Sequence, residues 1–263
     1  MTGGRSWDIT GRFIRVWQRN FRAYSESWKI GFIPPILEPL FYLLAFGVGL
    51  AALVGNIHYR GTDISYMVFI APALLAINIM NNAFYENTYS SYVRMYYYKT
   101  FDAMMATPLS LEEIITGEII WGATKSLIAT AIMQAVISLF GLIHYPEGLL
   151  ILPLAFVGGL AFGALGMFFT GIVKSIDLFN LPIFLLVTPM FLFGGTFFPL
   201  ETLPHWAQQV AFALPLTHLV NLTRAFSTGI LDGSVATGLV YLAVFSLIFF
   251  PLALRKMRRR LIR

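Results

Sequence analysis

Val235–Arg263 reads VATGLVYLAVFSLIFFPLALRKMRRRLIR. From Val235 to Leu254 it carries no charge, and the run is close to the ~20 apolar residues that cross a bilayer as a helix. It then gives way to Arg255, Lys256, Arg258, Arg259, Arg260 and Arg263. An apolar run of this length with a basic flank reads as a membrane span that ends on the cytoplasmic side. The same pairing stands at the other end of the chain. Arg5, Arg12, Arg15, Arg19, Arg22 and Lys29 precede the first long apolar run.

Between these flanks the composition is that of a polytopic membrane protein. Hydrophobic residues make up 57% of the chain and charged residues 12%, with a mean hydropathy of +0.73. A soluble domain carries about 25% charged residues. The apolar stretches read as six spans, roughly Ile30–Leu53, Ile64–Phe84, Ile114–Phe140, Leu149–Val173, Leu181–Phe198 and Val235–Leu254. Arg94 and Lys99 fall between the second and third, and Lys174 between the fourth and fifth. The alternate loops hold only Arg60 and Arg224. This asymmetry predicts that both termini are cytoplasmic. The expected architecture is all-α and one domain over 1–263: an arm at 1–29, a six-helix membrane domain at 30–254 and a basic tail at 255–263.

Several classes are excluded or disfavoured. The first apolar run follows a long basic arm and is too long for a signal-peptide core. Without cysteine there is no disulfide framework, thiolate nucleophile or Cys-ligated metal. The net charge of +5 flanks membrane spans, which points to anionic lipid as the partner and away from nucleic acid. An ion-coupled secondary carrier is disfavoured by the lack of an internal repeat.

Three segments outside the spans carry information. In the arm, Arg12, Arg15, Arg19 and Arg22 recur at helical spacing, and Phe13, Val16, Trp17, Phe21, Tyr24 and Trp28 occupy much of the rest. This predicts an amphipathic helix lying at the membrane interface; a plain topogenic flank would need the charges but not the periodicity. The segment after the second span, SYVRMYYYKTFDAMMATPLSLEEIITGE, mixes aromatics, methionines and charges, and Ser110 with Glu113 reads as a capping box for the third span. A short helix there, exposing aromatics and Met, would serve as a docking knob for a soluble partner; an interfacial tyrosine belt is the plainer reading. The segment GGTFFPLETLPHWAQQVAFALPLTHLVNLTRAFSTG, broken by Pro199, Pro204 and Pro215, predicts two short helices dipping into the outer leaflet as a re-entrant hairpin.

Polar residues inside the spans form a further group. Asn78, Asn81, Asn82, Tyr85, Glu86 and Tyr89 make a stripe, Glu38 sits in the first span, and Glu118 and Lys125 share a face of the third. The favoured reading is a buried structural pair, Lys125 with Glu86 or Glu118; a polar translocation wall is the other. Gly159 and Gly163 form a GxxxG, which reads as close helix packing. Catalytic motifs fail on context. GEIIWGATKS resembles a phosphate loop, but Lys125 comes too late after Gly122 and the segment is a span. His58 and Asp63 have acyltransferase-like spacing without a supporting motif, and His144, His205 and His218 are single histidines at membrane boundaries. Asn221-Leu222-Thr223 fits a glycosylation sequon and nothing more.

The stretches RVWQRNFRAY (Arg15–Tyr24), YVRMYYYKTFDAMMATPLSLEEIITGEIIWGATK (Tyr92–Lys125), TPMFLFGGTFFPLETLP (Thr188–Pro204) and ALPLTHLVNLTR (Ala213–Arg224) resemble the membrane subunits of ABC-2-type exporters. Within that family the chain is most similar to the nodulation-factor permeases, which export lipo-chitooligosaccharide and are related to polysaccharide export permeases. The run Tyr96–Tyr98 departs from a more polar family pattern. The resemblance implies a half-transporter in the bacterial inner membrane. Two copies would pair around a central path, driven by two cytosolic ATPase subunits that bind ATP and Mg, with no cofactor in this chain. It implies ATPase coupling through Arg94, Lys99, Thr100, Phe101, Asp102, Met105, Thr107 and Pro108. It implies a path lined by Tyr42, Phe46, Asn78, Asn82, Phe191 and Phe193, with aromatics for sugar faces and apolar walls for acyl chains. The cargo would be a lipid-linked oligosaccharide, polysaccharide or similar amphiphile. A drug or lipid exporter is the alternative, and a membrane-embedded transferase the more distant one.

Overall fold

The computed structural model describes residues 9–26, 28–50 and 54–262. The arm residues Phe13–Glu26 form helix α1, whose periodicity resolves into two faces. Arg12, just ahead of it, and Arg15 and Arg22 are exposed, while Val16 and Asn20, four residues apart, are buried. The buried face lies on helix α5 (Leu111–Leu139). Glycine permits the approach: a Cβ built on Gly117 would stand 2.6 Å from Val16 Cβ. Helix α2 (Trp28–Tyr42) contains Pro34, Pro35 and Pro39, and its winding widens to i→i+5 turns over Leu43–Leu50. The end of the expected first span at 51–53, like Arg5 and Arg263, lies outside the described residues.

The all-α expectation needs one correction. Strands β1 (Asn56–Tyr59) and β2 (Thr62–Ser65) pair antiparallel, with Asn56 opposite Ser65 and Tyr59 opposite Thr62. Arg60 and Gly61 both take left-handed backbone, with φ of 49° and 79°, as a two-residue hairpin turn requires. His58 and Asp63 are simply a cross-strand pair, Nδ1 to Oδ1 2.9 Å, both exposed. Arg60 ties the hairpin down by reaching Asp232 at 2.8 Å and the Ser234 hydroxyl at 2.8 Å. The Asp232 carboxyl is held below its ordinary range by the Ser234 hydroxyl first, and then by the Ser234 N–H and Arg60.

Helix α3 (Tyr66–Tyr97) starts at Ser65, whose hydroxyl accepts the Val68 N–H. It does not stop at Phe84 as the sequence predicts. The polar residues that follow satisfy themselves along the helix: Asn87 Nδ2 donates to Ala83 O at 3.0 Å and the Thr88 hydroxyl to Phe84 O at 2.8 Å. Widened i→i+5 turns at Glu86–Ser90 and Val93–Tyr97 carry it on. Lys99, at φ 53°, breaks it, and the short helix α4 (Thr100–Met105) follows. The predicted capping box then starts α5: Ser110 Oγ accepts the Glu113 N–H, and Glu113 Oε2 accepts the Ser110 N–H.

The remaining helices are α6 (Glu147–Thr170), α7 (Ile176–Phe193), α8 (His205–Phe212), α9 (Pro215–Thr228) and α10 (Ser234–Leu261). Among the described residues α3, α5, α6, α7 and α10 are each long and apolar enough to cross a membrane. A sixth span arises only when Phe13–Glu26 and Gly31–Phe46, bent by 73°, are taken together. The fold is therefore that of a predominantly helical, polytopic membrane protein.

Helix α3 is the centre, with Phe69, Ile70, Leu74, Leu75, Ile79 and Phe84 fully buried among α5, α6 and α9. Helix α6 approaches its neighbours backbone to backbone. A Cβ on Gly159 would lie 2.7 Å from Ala123 Cα, and one on Gly166 2.8 Å from Phe84 O. The outer helices α7 and α10 keep apolar faces uncovered, with Leu185 at 75% and Leu247 at 73% exposure.

The bundle has two unlike ends. One gathers α1, the end of α3, α4, the start of α5 and the end of α10 around Val16, Tyr92, Phe101, Ile114, Phe179 and Met257. There, adjacent carboxylates at the start of α5 hold both ends of the described chain. Glu113 Oε1 accepts the Thr10 N–H at 3.1 Å, the Thr10 hydroxyl and Arg12 Nε at 3.0 Å, while Glu112 Oε1 pairs with Arg258 Nη1 at 3.1 Å. The opposite end holds the hairpin, α8 and the loops before α6 and α10. Arg224 is buried in that half and donates to the carbonyls of Phe69, Gly195 and Thr196.

Candidate functional site

The late turns of α3 and the early turns of α5 face each other at the basic end, and four charges meet there. Arg94 Nη1 lies 2.7 Å from Glu86 Oε1, and Arg94 Nη2 2.5 Å from Glu118 Oε2. Lys125 Nζ lies 2.7 Å from Glu86 Oε2. Neutral donors complete the carboxylates: Trp121 Nε1 to Glu86 at 3.0 Å, the Ser91 hydroxyl to Glu118 at 2.6 Å, and Asn20 Nδ2 of α1 to Glu118 at 2.8 Å. The cluster pairs two cations with two anions, which is what makes its burial tolerable. The expected pairing of Lys125 with Glu86 is present. Arg94 joins it, and Glu118 takes Arg94 instead of Lys125. The cluster opens at one side into a cleft of about 260 Å³ that Arg19, Tyr24 and Tyr98 also line.

Arg94 therefore does not stand in a solvent-facing loop: its side chain is 15% exposed, because α3 continues beyond it. Phe101, expected as a docking side chain, is fully buried with Met104 and anchors α4 to the bundle. What α4 and its turn present outward is Lys99, Asp102, Ala103, Thr107 and Pro108, with Thr100 and Met105 half-buried. The three tyrosines before them, Tyr96, Tyr97 and Tyr98, are all exposed. The residues expected to couple to a motor thus divide into an exposed rim (Lys99, Asp102, Thr107, Pro108) and an internal part (Arg94, Phe101).

A second arrangement lies toward the opposite half. Tyr42 stacks on Phe46 at 6.0 Å, Phe46 meets Phe197 at 5.7 Å and Tyr66 at 6.5 Å, and Phe197 meets Phe191 at 5.1 Å. The structure thus brings together Tyr42, Phe46 and Phe191, from α2, the widened turns after it and α7. Phe197 is the hinge of the array and Tyr66 its neighbour; sequence reading missed both. Their signal is weak, since each sits at the edge of a span where aromatics are common. Asn78 is not part of the array: it is buried and accepts from the Thr130 hydroxyl of α5 at 3.4 Å. Asn82 donates back to Asn78 O at 3.0 Å, and Phe193 is exposed on the outer side of α7.

Among the described residues no group of three or more His, Asp or Glu side chains is arranged to hold a metal ion. Comparison with known proteins gives a consistent match. A family model described as ABC-2 type transporter matches residues 12–226. "Nodulation protein J" of Rhizobium leguminosarum bv. viciae is 32% identical over 99% of this chain and 97% of its own length. "Nodulation protein J" of Rhizobium leguminosarum bv. trifolii is 34% identical over 95% and 94%. The "Inner membrane transport permease YadH" of Escherichia coli strain K12 is 25% identical over 89% and 90%.

Proposed function

The chain belongs to the ABC-2 type transporter family and is a multi-pass transport permease; from that premise we propose that it is the membrane half of an ATP-driven exporter. Two copies enclose the path, and a separate cytosolic ATPase binds ATP and Mg and drives it. The basic end is cytoplasmic, with both termini there, because Arg12, Arg15, Arg22, Lys174 and Arg255–Arg260 gather at it. In this setting α1 lies along the cytoplasmic interface, and α8 with α9 forms the external re-entrant pair.

One observation carries the coupling role. Helix α4 is a short cytoplasmic element whose apolar side is locked inside by Phe101 and Met104 while Lys99, Asp102, Thr107 and Pro108 face out. A motor that grips this rim moves α3 and α5 directly, since α4 connects them. The cargo is an amphiphile with a saccharide head, a lipid-linked oligosaccharide or polysaccharide. The array Tyr42–Phe46–Phe197–Phe191 offers ring faces for sugars beside apolar walls for acyl chains.

The test is reconstitution in liposomes with the cognate ATPase, followed by ATP-dependent movement of a labelled acylated chitooligosaccharide. Transport that needs both the sugar and the acyl part supports the reading. Equal transport of an acyl lipid without sugar would replace it with lipid export. ATP turnover by the purified chain alone would remove the division of labour.

A further inference from the structure

At the basic end a groove of about 640 Å³ lies between α4 and the last turns of α10, floored by the turn that follows α6. Lys99, Lys174, Lys256, Arg259 and Arg260 line it, with Asp102 as its single acid. The carboxylates that hold this end together are engaged elsewhere: Glu112 with Arg258, Glu113 with Arg12, and Glu86 and Glu118 with Arg94 and Lys125. Among the described residues no salt bridge reaches Lys99, Lys174, Lys256 or Arg259, and Arg260 spends its guanidinium on the carbonyls of Thr170 and Val173 and the ring of Tyr92. Among the described residues, the groove's lysines and Arg259 are therefore left without a salt-bridge partner, with Asp102 the one acid beside them.

The rim has a second character. Ile172 and Tyr96 are exposed beside the charges, and Met95 and Leu261 complete the wall. Lys256 starts from the floor of the groove, since its Cβ packs on Gly171, where an added Cβ would stand 2.7 Å away. The groove also sits where α6 and α10, apolar along their membrane-crossing lengths, run out into charge. A site with a cationic floor and an apolar lip at that depth suits a ligand with a phosphate at its head and hydrocarbon behind it.

We propose that this groove is a binding site for the phosphate headgroup of an anionic phospholipid. Lys174, Lys256 and Arg259 take the phosphate, Ile172 and Tyr96 lie along the glycerol and the first methylenes, and Lys99 reaches it from the turn just ahead of α4. The bound lipid touches α4 on one wall and α10 on the other, so it bridges the proposed coupling element to the tail. The assignment rests on the proposed orientation only in naming the cytoplasmic leaflet as the source of the lipid.

The experiment is native mass spectrometry of the purified full chain with phosphatidylglycerol, with phosphatidylcholine, and with inorganic phosphate alone, read together with the shift in melting temperature. Phosphatidylglycerol should remain bound and raise the melting temperature, and phosphatidylcholine should do neither. The triple variant Lys174→Gln, Lys256→Gln, Arg259→Gln should weaken phosphatidylglycerol retention by about two orders of magnitude, the scale expected when three basic side chains leave a phosphate surface. Arg15→Gln with Arg22→Gln, which removes exposed charge from α1, should change it less than about threefold. Equal loss in both variants would reduce the effect to general attraction and overturn the site. Stabilisation by inorganic phosphate without retention of lipid would overturn the lipid assignment. Unchanged lipid retention in the triple variant would overturn the site, and loss of ATPase pull-down in the same variant would make the groove a protein contact. The measurement uses neither ATP nor cargo, so its failure leaves the export reading standing.

Discussion

Arg94 of α3 binds Glu118 of α5 through both Nε, at 3.0 Å, and Nη2, at 2.5 Å, and so ties the end of one span to the start of the next. The same guanidinium reaches Glu86, so a single side chain holds two buried carboxylates. Substituting Arg94 with Met leaves both partly unpaired. The expected loss is about 3–5 kcal/mol of stability. Lys125→Met removes a partner that is 32% exposed and serves Glu86 alone, so it should cost clearly less. Arg94→Met combined with Glu118→Gln should be more stable than Arg94→Met by itself, because the carboxylate left with no cation is gone while Glu86 keeps Lys125. Thermal denaturation in detergent of the three variants checks the order.

Phe101 and Asp102 are neighbours with opposite fates, one buried and one exposed. Phe101→Ala should lower stability by about 3–5 kcal/mol through cavity formation. Asp102→Lys should leave the melting temperature within about a degree or two and reduce ATP-driven export and capture of the ATPase. Normal export and capture by Asp102→Lys would take the α4 rim out of the coupling path.

Gly117 allows α1 to rest on α5. Gly117→Val forces its branched side chain into Val16 and should lift α1 away at a cost of about 1–3 kcal/mol. The readout is protease cleavage within Phe13–Glu26, which should become faster, while the loop before α6 keeps its original rate.

The chain has no cysteine, so single cysteines report topology without background. Thr202→Cys in intact cells should react with an impermeant maleimide, and Lys99→Cys should react only after the membrane is opened. The reverse pattern would invert the proposed orientation.

Phe197 connects Phe46 to Phe191. Phe197→Ala should depress transport of an acylated oligosaccharide by at least about tenfold while the ATPase still binds. Phe193→Ala, on the exposed side of α7, should leave transport within about twofold.

How much of this was legible in the sequence depended on whether a signal was local. Apolar runs are local: α5 and α6 begin and end within a few residues of expectation, whereas α7 is shifted toward the amino end at both of its bounds and α10 starts as expected but continues as helix through its basic residues to Leu261. The capping box at Ser110 and Glu113 is equally local and appears as read. The extension of α3 was not legible, because Glu86-Asn87-Thr88 looks like the polar end of a span. Only the folded chain supplies Arg94, Lys125 and Trp121 to Glu86 and the Ala83 and Phe84 carbonyls to the other two. That one misplaced boundary also misplaced Arg94, which was assigned to a loop and sits in a buried seam. The hairpin was missed for another reason: its strands are four residues each, and Arg60-Gly61 is a modest turn signal inside a segment expected only to connect two spans.

Glu112 and Glu113 are adjacent in the chain, yet one grips Arg258 near the carboxyl end and the other grips Thr10 and Arg12 near the amino end. The first turn of α5 is thus an axle on which the start of α1 and the last turns of α10 are mounted. A tilt of that turn would shift the anchor points of both segments together. Freeing either segment leaves the other still mounted, so losing one grip should loosen that segment before it disturbs the bundle.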